Sequence, residues 1–504
     1  MRGAGRRALA LAGLAAVASA GCAGLFAHGD LAPSGLARSD EHLRRMLAFG
    51  RADSALSRVV ADEGVAPDDE LLRALYAGIL AHYAGAYDSS NAALQRAADL
   101  AEDRYTKRIS RAALSLITSD NALPYEPGWA ERLLIHYYGA LNRLRQRDPA
   151  GAAVEARRLG LLLEREAERE RDPRTTPLLA FLRYFTGVVF EVAGERNDAD
   201  VAYRNALMLA ARDDAPLPTE VPLPDSLGEV VVVVEQGFVA HRVEQSMIVM
   251  LHPVEVAWLT GRSGDERAAA AAEIAARIVA GALDREPARP WYDRRPPTLR
   301  ISLPPDSYFA AMCAEQSIKA SDDGDQGKRQ NGNADDCPRE DENPYFLRVA
   351  WPVYRLDREP VTGVRVTGGG VAEPLRFPAD VSAAVVRDFA DERTLIVART
   401  VARAVTKMAL TKGIEKNVGG DDDAWIGRVL GALTNVGTAL LEQADTRSWL
   451  LLPGRIGIAR LRLPAGTHDI ALELPGGSRD PRIEVGAVDV RAGRIAVIPV
   501  RIWQ

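Results

Sequence analysis

Two stretches of this chain carry small residues at the same intervals. One reads LYAGILAHYAGAYDSSNAALQRAADLA, with Gly78, Gly85, Ser90, Leu94 and Ala97; the other reads YFTGVVFEVAGERNDADVAYRNALMLA, with Gly187, Gly194, Ala199, Tyr203 and Ala206. Counted from the first glycine, the offsets are seven, twelve, sixteen and nineteen residues in both. The apolar spacing from Asp40 to Asp213 is helical throughout, and a third helix pair falls between the two copies, from Trp129 to about Arg145 and from Asp148 to about Glu168. Asp148-Pro149 starts its second helix as an N-cap followed by proline at the first helical position. A degenerate pair is expected from Asp40 to Asp62. Stacked helix pairs bury one face of each unit against its neighbour and leave a concave surface, which more often binds protein segments than carries chemistry.

The repeated spacing resembles the tetratricopeptide repeat. That resemblance implies that Gly78, Gly85, Ala97, Gly187, Gly194 and Ala206 let paired helices approach closely, and that Leu94 and Tyr203 fill the space between them. An ordinary Ala-rich helical hairpin is the alternative reading.

After residue 213 the pattern changes. DDAPLPTEVPLPDSLGE holds four prolines, and Val230 to Val234 follow as a strand buried on both faces. Further strands are expected at Gln245–Met250, Leu299–Leu303, Phe346–Val353 and Gly363–Thr367, with helices at Asp265–Leu283 and Val381–Lys412. Gly368-Gly369-Gly370 lacks the lysine and following helix of a phosphate loop and reads as a hairpin turn. The segment SDDGDQGKRQNGNADD, residues 321–336, has no large apolar side chain and is a solvated insertion. As a calcium loop it fails at Asp336, where the sharp turn needs glycine. After a glycine-bearing helix from Trp425 to Leu441, the alternating runs IGIARLRLPAGTHDIALELP and IEVGAVDVRAGRIAVIPVRIW read as two β-hairpins. The expected organisation is α+β multidomain: an all-α repeat domain resembling tetratricopeptide arrays at 40–213, an α+β domain at 214–424, and at 425–504 a helix with two hairpins forming a small β-sandwich-like domain.

The amino terminus gives an address. Arg2, Arg6 and Arg7 precede an apolar run from Ala8 to Ala18, then Ser19-Ala20-Gly21-Cys22. The run is about half of the ~20 residues a membrane span needs, so residues 1–21 read as a removable signal peptide. The ending resembles the lipobox of bacterial lipoproteins, although Ser19 stands where leucine is usual. The resemblance implies cleavage between Gly21 and Cys22, a lipid such as palmitate on Cys22, and residues 22–39 as a flexible tether. An ordinary secretory signal, or an Ala-rich first helix of a cytoplasmic protein, are the other readings. Ala23 after the cysteine favours the outer membrane, facing the periplasm, over inner-membrane retention. Cys313 and Cys337 remain, either as a disulfide or as two free thiols; a bridge would constrain the unfolded chain by roughly 3.5 kcal/mol.

Chemistry is hard to find. The net charge of -6 has acids and bases interleaved, which disfavours nucleic-acid binding. The seven histidines are scattered without metal spacing, there is no GxSxG elbow, and Cys313 has no orienting histidine nearby, so no catalytic residue, metal or cofactor is expected. Carboxylates are abundant enough to leave a two-carboxylate glycosidase open.

YEPGWAERLLIHYYGALNRL, AAVEARRL, GEVVVVVEQGFVAHRVE, VAWPVY and ADTRSWLLLPGRIGIARLRLPAGTHDI together resemble a group of uncharacterised bacterial envelope lipoproteins with tetratricopeptide-like repeats. That resemblance supplies no active site. It implies a lipid-anchored periplasmic scaffold or adaptor that binds envelope proteins, with peptidoglycan assembly as the setting; an envelope-polysaccharide hydrolase and a wall-binding module are the alternatives. Within those segments Glu131, Glu155, Arg157, Arg158, Glu235, Asp445, Arg447 and Trp449 are the side chains to test first, each with a structural role as its default.

Overall fold

The computed structural model describes residues 38–61, 69–106, 124–211, 216–221, 223–251, 256, 259, 264–284, 299–302, 345–358, 361–418, 444–474 and 481–503. Gly21, Cys22, Cys313, Cys337, the insertion 321–336 and the expected helix at 425–441 lie outside them.

Among the described residues eight α-helices come first: α1 (Arg38–Ala48), α2 (Ala52–Val60), α3 (Glu70–Tyr83), α4 (Tyr87–Thr106), α5 (Trp129–Arg145), α6 (Pro149–Arg165), α7 (Thr176–Ala193) and α8 (Arg196–Leu209). Their starts are set locally. Asp69 accepts from Leu71 N at 2.9 Å and Leu72 N at 3.3 Å to cap α3, and Asp148 accepts from Gly151 N at 2.9 Å to cap α6. The turns out of α3 and α7 need left-handed backbone, which Gly85 (φ 76°) and Gly194 (φ 80°) supply at no steric cost. Helix α7 is long and apolar enough by composition to cross a membrane, yet Leu178 to Phe190 are buried throughout, so its hydropathy serves the core.

The remaining chain builds three sheets. Strands β1 (Leu227–Gln236), β2 (His241–Leu251), β3 (Leu299–Ser302), β4 (Tyr345–Arg355), β5 (Arg365–Gly368), β6 (Val371–Pro374), β7 (Arg376–Asp380), β8 (Arg455–Pro464), β9 (Gly466–Glu473), β10 (Arg482–Val490) and β11 (Ile495–Ile502) are joined by α9 (Gly264–Asp284) and α10 (Val381–Val418). The first sheet has the order β11-β1-β8-β7, the second β10-β9-β5-β6, and the third β3-β2-β4. The architecture is mixed α+β. Helices α9 and α10 share an apolar cluster with the third sheet, through Ile274, Ile278, Val249, Val349 and Val401. The β5–β6 turn uses Gly369 (φ 55°) and Gly370 (φ 80°), as a two-residue hairpin with both central residues left-handed requires.

The valine run sits at the centre of the first sheet. Val231 and Val233 enter the core shared with the helices, while Val230, Val232 and Val234 enter a second core with Val366, Ile470 and Leu472 of the second sheet. All five valines are fully buried. β1 is therefore covered on both faces, and its period-2 geometry divides one apolar run between two cores.

The expected carboxyl-terminal hairpins do not pair. β8 bonds to β1 and β7, and β9 to β10 and β5, so the turn at Pro464-Ala465-Gly466 is a corner between sheets. Likewise β10 stays in the second sheet while β11 lies parallel to β1 in the first. Alternation specifies which face of a strand is buried and leaves its neighbour open, and here both edges of β8 go to strands from earlier in the chain. The expected boundary at residue 424/425 thus runs through two sheets that interleave residues 227–380 with 455–502. Pro499 sits on the free edge of β11: Glu229 N bonds to Arg494 O and Gly237 N to Ile502 O, so even-numbered β11 residues face β1 and odd ones face outward. A proline there removes an outward donor and blunts the edge.

Candidate functional site

The first sheet covers the first helices of the repeating pairs. Its helix-facing side carries Glu229, Val231, Val233 and Glu235 of β1 with Arg462, Arg460, Ile458 and Ile456 of β8 opposite them. The valines and isoleucines pack in the common core, and the carboxylates at its two ends meet polar groups from the helices.

At one end Arg460 Nε donates to Glu229 Oε1 at 2.9 Å, its NH1 to the Tyr203 hydroxyl at 2.9 Å and its NH2 to Glu191 Oε2 at 2.9 Å. Tyr203 in turn donates to Glu191 at 2.6 Å. At the other end Glu235, 1% exposed, accepts from Tyr83 at 2.8 Å and Tyr137 at 2.9 Å, with Arg501 NH1 3.7 Å away. Burial, then the Glu235 charge, push the Tyr137 hydroxyl well above its ordinary pKa, so it remains a donor.

The segment 444–454 completes this seam. Trp449, Leu450, Leu451 and Leu452 are buried, and Trp449 N donates to Glu131 Oε1 at 2.9 Å. Glu131 also accepts from Gly128 N at 3.0 Å, at the start of α5. Arg44 of α1 reaches the same segment, donating to Leu450 O at 2.7 Å, Val239 O at 3.0 Å and Asp357 at 3.0 Å. Asp69 accepts from Tyr125 N at 2.8 Å and Arg104 NH1 at 2.8 Å, with Arg447 at 3.9 Å. Burial alone would raise the Asp69 pKa, but these donors outweigh it and hold the carboxyl below its ordinary value. Asp388 of α10 is bound at the start of α5, pairing with Arg169 at 3.1 Å; burial raises it to about 6.

Of the eight side chains singled out from sequence, Glu131, Glu235, Asp445, Arg447 and Trp449 thus gather at the seam. Arg157 pairs with Glu195 on the surface. Glu155 and Arg158 lie on the outward side, where their carboxylate and guanidinium meet at 2.9 Å across one helical turn. Arg44, Arg460 and Arg501 escape sequence reasoning, because arginines are common and only the register puts these three opposite buried carboxylates and carbonyls.

The repeat positions pack in pairs. A Cβ built on Gly78 would lie 2.7 Å from Leu94 Cδ2, and one on Gly187 would lie 2.5 Å from Tyr203 Cδ1. Ala97 and Ala206 are fully buried, and Ser90 Oγ donates to Gly78 O at 2.6 Å.

A small cavity of about 110 Å³ opens at the start of α5 beside Arg242 and Asp388, and a longer opening lies on the other side of the helices. A groove of two adjoining cavities, about 320 and 300 Å³, runs along α4, α5 and α6. Its floor is one face of α5, with Ile135, His136 and Gly139. Asp88, Gln95, Asp99 and Glu102 of α4 line one wall, and Glu155, Arg158, Leu162 and Arg165 of α6 the other. His136 Nδ1 contacts Glu155 Oε2 at 2.7 Å. Among the described residues no group of three or more His, Cys, Asp or Glu is arranged to hold a metal ion. The arrangement offers a polar cleft with a small apolar floor.

The fold and cleft define a mixed α+β protein with a helical layer sealed on one side and grooved on the other. Comparison of the chain with protein-family models, with curated proteins and with solved structures finds no match.

Proposed function

We propose that this chain is a lipid-anchored periplasmic scaffold or adaptor of the cell envelope, held by a lipid on Cys22 and binding protein partners through the outward side of its helices. In this reading α3 to α8 are tetratricopeptide-like pairs, and the first two sheets form a β-sandwich-like support behind them. The observation that carries it is the asymmetry of the helical layer. The inner faces of α3, α5 and α7 are committed to β1, β7 and β8, whereas α4, α5 and α6 leave an open groove. The inner surface that open helical arrays offer to peptides is closed here by the chain's own sheet, so a partner must use the outer side.

Deleting residues 40–213 is an uninformative test, because it would strip Glu229 and Glu235 of their partners. The discriminating variant is Ala98→Trp, which fills the groove from α4. Immobilised wild-type protein is expected to recover a fixed set of proteins saturably from detergent-solubilised envelopes, and Ala98→Trp to lose them while keeping its thermal transition. Release of soluble products from purified cell wall would replace the scaffold with a hydrolase. Sedimentation with isolated wall, without turnover and without protein capture, would replace it with a wall-binding module.

A further inference from the structure

Resting on that reading, we propose that the groove between α4 and α6 receives an extended peptide segment in which acidic and basic residues alternate. The walls differ in sign. Asp88, Asp99 and Glu102 stand on the α4 side, and Arg143, Arg158 and Arg165 on the side of α5 and α6, where the one carboxylate, Glu155, is held by His136 at 2.7 Å and Arg158 at 2.9 Å. Single side chains already span the gap: Arg158 NH1 donates to Gln95 Oε1 at 2.6 Å, and Arg165 NH1 lies 3.3 Å from Glu102 Oε2. A helix about 10–12 Å across does not seat between walls that one arginine bridges, whereas an extended chain does. Along α4 the groove covers Asp88 to Glu102, about 21 Å at 1.5 Å per residue, which is room for roughly six extended residues.

Successive side chains of an extended segment point to opposite sides. Alternating charge therefore directs every acid toward the arginines and every base toward the α4 carboxylates. Ala98 contributes only a methyl group, leaving space for the peptide backbone beside Ile135, while the Glu155 side chain covers Gly139. Such a segment displaces the Arg165–Glu102 pair and the Arg158–Gln95 contact and shares Arg158 with Glu155. Arg165 and Glu102 are each 53% exposed, and pairs of that kind contribute little, so exchanging one for a partner's charges has a low cost.

The test uses full-length protein in detergent and fluorescein-labelled peptides read by fluorescence anisotropy. Twelve residues of alternating Glu and Lys are expected to bind at least tenfold more tightly than a block peptide of six Glu followed by six Lys, with affinity falling as salt rises. Arg158→Glu with Arg165→Glu is expected to weaken the alternating peptide at least tenfold. Adding Asp99→Lys and Glu102→Lys exchanges the signs of the two walls at the end lined by Arg158 and Arg165, and a one-residue slip of the same peptide then restores binding there, which also shows that the variants are folded. Equal binding of alternating and block peptides, no binding of the alternating peptide, or indifference to the double substitution overturns the proposal. If envelope proteins are still captured by the Arg158→Glu, Arg165→Glu protein, the scaffold reading stands and this one falls.

Discussion

The helix pairs α3/α4 and α7/α8 share five spaced positions and end in opposite surroundings. In both, a glycine in the first helix makes room for a large side chain sixteen residues later. In α3/α4 that side chain is Leu94, which lines the open groove. In α7/α8 it is Tyr203, whose hydroxyl bonds to Glu191 within the pair and to Arg460 of β8, and so ties the pair to the sheet. One packing rule thus serves two ends, and the difference is a single phenolic oxygen with a charged partner waiting for it. The lesson is that a repeat motif specifies how two helices meet, while the residue filling the gap decides whether the second helix, like the first, is tied to the sheet.

The largest expected effect comes from cutting that tie. Arg460→Met leaves the buried Glu229 with only Arg462, 3.5 Å away, and Glu191 without its cation, and the loss of one partner from a buried pair costs about 3–5 kcal/mol. Urea unfolding should show this as a fall in midpoint. Arg158→Met, on the groove side, is expected to cost under about 1 kcal/mol in the same measurement. Equal effects would erase the distinction between sealed and open sides.

Next is the pH response of Asp388, which joins α10 to the middle pair. Its folded pKa of about 6 lies above the ordinary value of 3.8, so the native state holds the proton more tightly and stability falls as pH rises from about 4 to about 6. Two pKa units correspond to about 3 kcal/mol, and partial exposure reduces the expected change to about 2 kcal/mol. Asp388→Asn cannot ionise, and Arg169 keeps Glu166 at 2.7 Å, so the variant's stability relative to wild type should rise across that window. Asp40, also raised to about 6 by burial, slopes the same way in both proteins and cancels. A wild-type-minus-variant difference that is flat from pH 4.5 to 7 would show that Asp388 is not strained by ionisation.

Smaller still are the glycines themselves. Gly187→Ala pushes a methyl group into a ring whose hydroxyl is held by Arg460, and about 2 kcal/mol of destabilisation is expected. Gly78→Ala meets an aliphatic side chain without a polar tether, and alanine gains up to about 1 kcal/mol in helix propensity, so a smaller net cost than for Gly187→Ala is expected. Thermal unfolding of the two variants side by side checks the order. If Gly78→Ala is the worse of the two, the groove side is packed as tightly as the seam.

Much of the secondary structure was legible because its signals are local. Asp148-Pro149 starts α6, the 3.6-residue apolar period draws α3 to α8, and five consecutive valines demand burial on two faces. The seam was not legible. Glu131, Glu235 and Trp449 stood out among polar and aromatic residues, but the arginines and tyrosines that meet them come from up to several hundred positions away. The hairpin expectation failed for the same reason: a short turn and good alternation cannot report that β8 and β9 find other neighbours in two different sheets.

By itself, then, the sequence determined where helices and strands form and which side of each is apolar, because backbone propensity, capping and hydrophobic period act within a few residues. Tertiary structure alone decided which strands pair, which helix faces are closed and which carboxylates are buried beside arginines. Those outcomes depend on groups brought together by burial of a common core, and desolvation makes each long-range partner energetically obligatory only once the chain has folded.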